Sequence, residues 1–143
     1  MEGLTLQLGA SLLHANYEDF QSLSGDFSGN TLPNAPKVSL NGMAEYKWPM
    51  FGGAMRAQAD ATYRSKIYFD TRNLERLSDK SRTFVNARLG WQPSDERYEV
   101  GIWGRNVFEE TNIGDIIPIE GLGFDLFAMG RPKTYGVYLR FNY

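Results

Sequence analysis

Cysteine is absent from this chain of 143 residues, which excludes disulfides and thiolate sites. No apolar run approaches the roughly 18 residues of a membrane-spanning helix, and the mean hydropathy is −0.42. Charge is almost balanced, with 15 Lys and Arg against 17 Asp and Glu, so nothing points to nucleic acid. The opening Met1-Glu-Gly-Leu-Thr carries no basic region and no apolar core, so it does not read as a signal peptide. The expectation is a chain that begins inside a longer one. None of these absences excludes a transmembrane β-barrel, because half of each of its strands faces a polar lumen.

What the sequence does contain is a period of two, with no amphipathic helix between the alternating segments. Six such segments are expected to be strands, near 4–16, 37–48, 54–63, 83–91, 98–107 and 134–143. The third is the cleanest: Met55, Ala57, Ala59, Ala61 and Tyr63 oppose Arg56, Gln58, Asp60 and Thr62. In the last, Tyr135, Val137, Leu139, Phe141 and Tyr143 share one parity and Gly136, Tyr138, Arg140 and Asn142 the other. Alternate residues lie on opposite faces of a strand. One face is then wholly apolar and the other holds the charges, including Arg56, Asp60, Arg88, Glu99, Arg105 and Arg140.

The connections alternate in length. Pro49–Gly53 and Gln92–Arg97 are short and rich in turn residues, whereas about 17–36, 64–82 and 107–133 are long. A soluble domain rarely holds three structureless loops of about 20 residues. Outer-membrane barrels pair short periplasmic turns with long outer loops. Aromatics fall at both strand ends. Tyr46, Trp48, Phe51, Trp91, Tyr98, Phe141 and Tyr143 lie near the short turns; Tyr17, Tyr63, Phe84, Phe108 and Tyr135 lie near the long loops. Two belts flanking an apolar band suit a bilayer. A soluble β-sandwich acting as a binding or adhesion module is the alternative, with its apolar face in a dry core.

Particular stretches carry a resemblance. They are Gly29-Asn-Thr-Leu-Pro-Asn-Ala-Pro-Lys37, Tyr63-Arg-Ser-Lys-Ile-Tyr-Phe-Asp70, Val85-Asn-Ala-Arg-Leu-Gly90, Val100-Gly-Ile-Trp-Gly-Arg-Asn-Val-Phe108 and Gly130-Arg-Pro-Lys-Thr-Tyr-Gly136. In this order and spacing the chain resembles the carboxy-terminal part of the barrel of TonB-dependent outer-membrane receptors. The resemblance implies an all-β fold: an antiparallel meander of six transmembrane strands, an open, curved segment of a barrel of about 22 strands. It implies residence in the bacterial outer membrane, with lipid against the apolar face. The six charged residues would then face the lumen. The expected partners are a plug domain and TonB, both reached through earlier parts of a longer chain, and the barrel-assembly machinery. Phe141 and Tyr143 would form the signal that this machinery reads. The function implied is energy-coupled uptake of a scarce nutrient such as a ferric siderophore, with cobalamin or oligosaccharide as other family substrates.

Catalytic signals are poor, and neither an enzyme nor a cofactor or metal is expected. His14 reads as a polar residue near a strand rim, and Ser11 and Ser39 have no local base. Glu109, Glu110, Asp115, Glu120 and Asp125 follow no calcium-loop spacing and read as a solvated acidic loop. Glu45 is expected opposite Arg56 across the first short turn, as a cross-strand ion pair.

Overall fold

A computed structural model describes residues 3–142; Tyr143 lies outside the described residues. Six long strands form one sheet: β1 (Leu4–Leu12), β2 (Val38–Met50), β3 (Gly53–Arg64), β4 (Arg82–Pro93), β5 (Tyr98–Arg105) and β6 (Thr134–Phe141). Each pairs antiparallel with its neighbour in sequence, and β1 and β6 stand at the two edges. The fold is therefore the expected all-β meander, an open sheet.

The strand ends differ from expectation for local reasons. β1 stops at Leu12 because the Leu13 N–H makes the last bond across to Lys37. Ala15 and Tyr17 then pair with Leu32 and Asn30, turning the chain into its own loop. β2 and β3 run further than expected, to Met50 and from Gly53, because the turn between them is only Phe51-Gly52. Both residues are left-handed, at φ 53° and 67°, the geometry of a two-residue hairpin turn that follows the strand twist. This tight turn also shifts the register. Glu45 directly opposes Gln58, and Arg56 opposes Lys47. The Glu45–Arg56 pair exists only as a diagonal contact of 3.9 Å.

Register carries one row of side chains across each face. Leu4, Tyr46, Ala57, Leu89, Ile102 and Val137 are successive partners in one such row, and Leu6, Ala44, Ala59, Ala87, Gly104 and Tyr135 in the next. Leu6, Leu8, Leu40, Ala59, Leu89, Ile102, Val137 and Leu139 are all exposed. No second sheet covers them, which removes the sandwich alternative. Tyr46 stacks on Trp48 and Trp91 packs edge-on against Tyr98 at the short-turn end of this face. Phe84 breaks the expected belt: it partners Thr62 and so lies on the polar face, while Tyr17 and Phe108 lie outside the six strands.

The long loops are structured, contrary to the expectation of irregular chain. Ile113–Ile119 and Phe124–Met129 form an antiparallel hairpin, closed by a short 3₁₀ turn and Gly123 at φ 73°. Two shorter hairpins pair Gln21–Ser22 with Gly25–Asp26, and Ile67–Tyr68 with Ser78–Asp79. The buried apolar side chains among the described residues, Ile67, Leu77 and Ile116, all sit in these loops.

Candidate functional site

Two polar regions stand out, one on the sheet and one at the loop end. On the sheet, the polar face is shaped by large aromatics laid over glycines. Tyr138 directly partners Gly101, which in turn partners Gly90. A Cβ on Gly101 would meet the Tyr138 ring at 2.6 Å, and one on Gly90 would meet the Tyr138 hydroxyl at 2.3 Å. The ring therefore covers bare backbone, a device that compensates weak glycine pairing in strands. Trp103 covers Gly136 in the same way, with ring atoms 2.9 Å from where a Cβ would stand.

These rings organise the charges. The Tyr138 hydroxyl donates to Glu99 at 2.6 Å, and Glu99 is 5% exposed with Arg140 3.6 Å away. Glu45 lies between Arg56 and Arg88 at 3.9 and 3.6 Å. Asp60 accepts from the Asn86 amide at 2.6 Å. The Arg105 guanidinium sits 5.4 Å from the centre of the Trp103 ring, a cation–π distance. The six charges singled out in the sequence thus share the face of Trp103 and Tyr138, but they do not converge on one point.

Asn106 directly follows β5 and was not singled out by sequence reasoning. It is left-handed, at φ 51°, and 7% exposed. Its side chain accepts from the Glu110 N–H at 2.8 Å and donates to the Glu110 carbonyl at 2.8 Å. Its own N–H donates to Asn86 at 3.0 Å. The Arg-Asn pair inside the Val100–Phe108 stretch was the available signal, since Asn tolerates left-handed backbone.

At the loop end, arginines from residues 64–82 hold carboxylates from their own loop and from 107–133. Asp79, 2% exposed, receives Arg64 and Arg82, each at 2.5 Å. Arg82 also holds Glu110 at 2.7 Å. Arg72 bonds Asp70 and Glu120, and Arg76 grips both oxygens of Asp125. Lys133 pairs with Glu109. Of the acidic residues read as a solvated loop, Glu109, Glu110, Glu120 and Asp125 are therefore individually paired with cations, while Asp115 accepts only from the Ile116 N–H, and they form no metal-holding cluster among the described residues. Asn30, Thr31 and Asn34 tie the first loop to Thr71, Asn73 and Tyr68. Burial pushes the Asp79 carboxyl up, but bonds from Arg82 and Arg64 outweigh it and hold it below the usual carboxylate range. The bond from Lys66 likewise lowers exposed Glu75.

Other sequence candidates are scattered. His14 is exposed beyond the end of β1, and Ser11 and Ser39 face each other across β1 and β2. Phe141 is exposed opposite Tyr98 on the apolar face.

A family model described as TonB dependent receptor-like, beta-barrel matches residues 2–107. Among solved structures, the ferric yersiniabactin uptake receptor FyuA from Yersinia pestis matches the whole chain with a TM-score of 0.85 at 16% identity. The match occupies 21% of that protein. The ferric preacinetobactin receptor BauA from Acinetobacter baumannii matches 97% of the chain with a TM-score of 0.72 at 21% identity, over 19% of its own length. At these identities the likeness establishes the fold. This chain spans about a fifth of each.

Proposed function

The chain belongs to the TonB-dependent receptor-like β-barrel family, and on that premise we propose that it is one wall of an outer-membrane receptor importing a ferric siderophore. The observation that carries this reading is the sheet itself. It exposes an uncharged apolar face that water would not tolerate at this size, yet keeps its charges on the opposite face. Lipid would cover the first face. The second would look into a lumen filled by a plug domain, with TonB engaged through a segment outside these residues. The open edges of β1 and β6 would be closed by the remaining strands of a longer chain, of which this is the carboxy-terminal part. The assembly machinery would pair with the backbone edge of β6, taking Phe141 and Tyr143 as the side chains it selects.

The siderophore assignment draws support from the two structural relatives, a ferric yersiniabactin uptake receptor and a ferric preacinetobactin receptor. It is tested by iron uptake in a Gram-negative host with and without the full-length receptor. Radio-iron would be supplied on catecholate, hydroxamate and phenolate carriers in turn. Loss of uptake from at least one carrier is expected. Unchanged uptake from all of them, with cobalamin or oligosaccharide uptake lost instead, would overturn the substrate class. The membrane reading has its own readout: the receptor should fractionate with the outer membrane and shift its electrophoretic mobility on heating.

A further inference from the structure

The arginines in the middle of the polar face are paired unlike those at its loop end, where β3 ends at Arg64 and β4 begins at Arg82. Arg64 and Arg82 each reach Asp79 at 2.5 Å, within hydrogen-bond distance. Arg88 and Arg140 approach Glu45 and Glu99 only to 3.6 Å, beyond that reach. Arg105 pairs with no carboxylate among the described residues and rests on Trp103 instead. The Arg88 Nε is buried with no acceptor, a state that normally costs free energy unless something else supplies one. These three guanidinium groups surround one indole. Trp103 directly opposes Arg88 across β4 and β5, and one edge of its ring is fixed over Gly136. Clefts open on both sides of it. One is lined by Gln58, Asp60, Arg88 and Arg105, and the other by Arg88, Tyr138 and Arg140.

We propose that the Trp103 cluster is a binding site for a carboxylate attached to a flat, unsaturated group. The planar group would lie against the indole while the carboxylate accepts from Arg105 and from the accessible part of the Arg88 guanidinium, whose side chain is 35% exposed. A guanidinium fork matches a carboxylate in shape as well as charge. Asp60, on the same cleft, is a like charge that favours a single carboxylate over a polyanion. The inference rests on the receptor reading only in that the anion reaches this face through the lumen. The occupant is a free small molecule; an Asp or Glu side chain from the part of the receptor that fills the lumen carries no unsaturated group and would compete for the guanidinium groups alone.

The test uses the full-length receptor in detergent, with benzoate as probe and benzamide as its neutral isostere. Tryptophan emission should change saturably with benzoate and not with benzamide. The response should vanish in Trp103→Phe, weaken at least tenfold in Arg105→Gln, and recover partly in Arg105→Lys. If the receptor's own carboxylate holds the guanidinium groups instead, benzoate will be silent in the parent protein, which overturns the small-molecule occupant. Arg88→Gln with Arg105→Gln should then lower the denaturant midpoint of the lumen-filling part and leave the heat-shifted mobility of the barrel intact. Silence of benzoate together with an unchanged midpoint would overturn the site. Loss of heat-shifted mobility in the parent protein would instead defeat the receptor reading, whatever benzoate does.

Discussion

In the six strands many large apolar residues are exposed and none is buried, with Leu8 at 90% and Val137 at 80% exposure, whereas the buried apolar residues among those described, Ile67, Leu77 and Ile116, belong to the loops. Ion pairs divide the same way: close and hydrogen-bonded at the loop end, long and loose on the polar face. The difference follows from what each region has for solvent. On the proposed reading the sheet lies between lipid and lumen and needs no dry core of its own, since its strands pair with one another. Loops standing in water must hold themselves together, with a small core and short charge-assisted bonds.

The largest effect is expected from placing a charge on the lipid face. Leu139→Arg should cost about 2–4 kcal/mol when the full-length receptor folds into vesicles, whereas Gln58→Arg on the polar face should cost under about 1 kcal/mol. Denaturant titration of folding measures both. Equal costs would erase the distinction between the faces.

The loop core comes next. Leu77 has no exposed surface, and Leu77→Ala should cost about 2–3 kcal/mol, the low end for buried leucines because a loop can partly collapse. Hydrogen exchange should show faster opening of residues 67–79 with the six strands unchanged. Strand exchange accelerating in step would mean that the loop core also supports the sheet.

Asp79→Asn should cost about 2 kcal/mol locally, as a buried carboxylate bonded to two arginines is replaced by a neutral amide. The same contribution should respond to acid. The folded carboxyl lies below its ordinary value, so its stabilisation is fully present above the unfolded value of about 4. It is lost as the pH falls from there through the folded value. Protease resistance of residues 64–82 should therefore hold from neutral pH down to the carboxylate range and fail below it. In Asp79→Asn that acid step should be missing.

The smallest effect belongs to the exposed ties between loops. Glu120→Gln removes a partner of Arg72 that is 57% exposed, and should cost at most about 0.5 kcal/mol, less at high salt. Loop spacing measured by spin labels would register it as a broadened distribution. A shift as large as that of Leu77→Ala would promote this pair from surface tie to structural support.

The sheet was legible because a strand repeats every two residues, and Met55 to Tyr63 shows the alternation without interruption. The direct opposition of Glu45 and Arg56 failed because register depends on turn geometry. Phe51 taking a left-handed conformation beside Gly52 is not written in the alternation. The hairpin of Ile113–Met129 did leave a trace, two apolar runs separated by Gly121 and Gly123, which the neighbouring acidic residues obscured.

What the sequence by itself determined is the two-faced meander: pairing of neighbours, an uncharged apolar face, charges on the other, and a resemblance that the family match bears out. These depend on the backbone's period and on residues near one another in the chain. The tertiary structure alone decided which arginine meets which carboxylate, and which glycine each ring covers. Arg72 and Glu120 stand 48 residues apart, and Tyr138 is 39 from Glu99. No local pattern can encode a contact across that distance. It exists because the strands set the register, and the register delivers each loop and each ring to its partner.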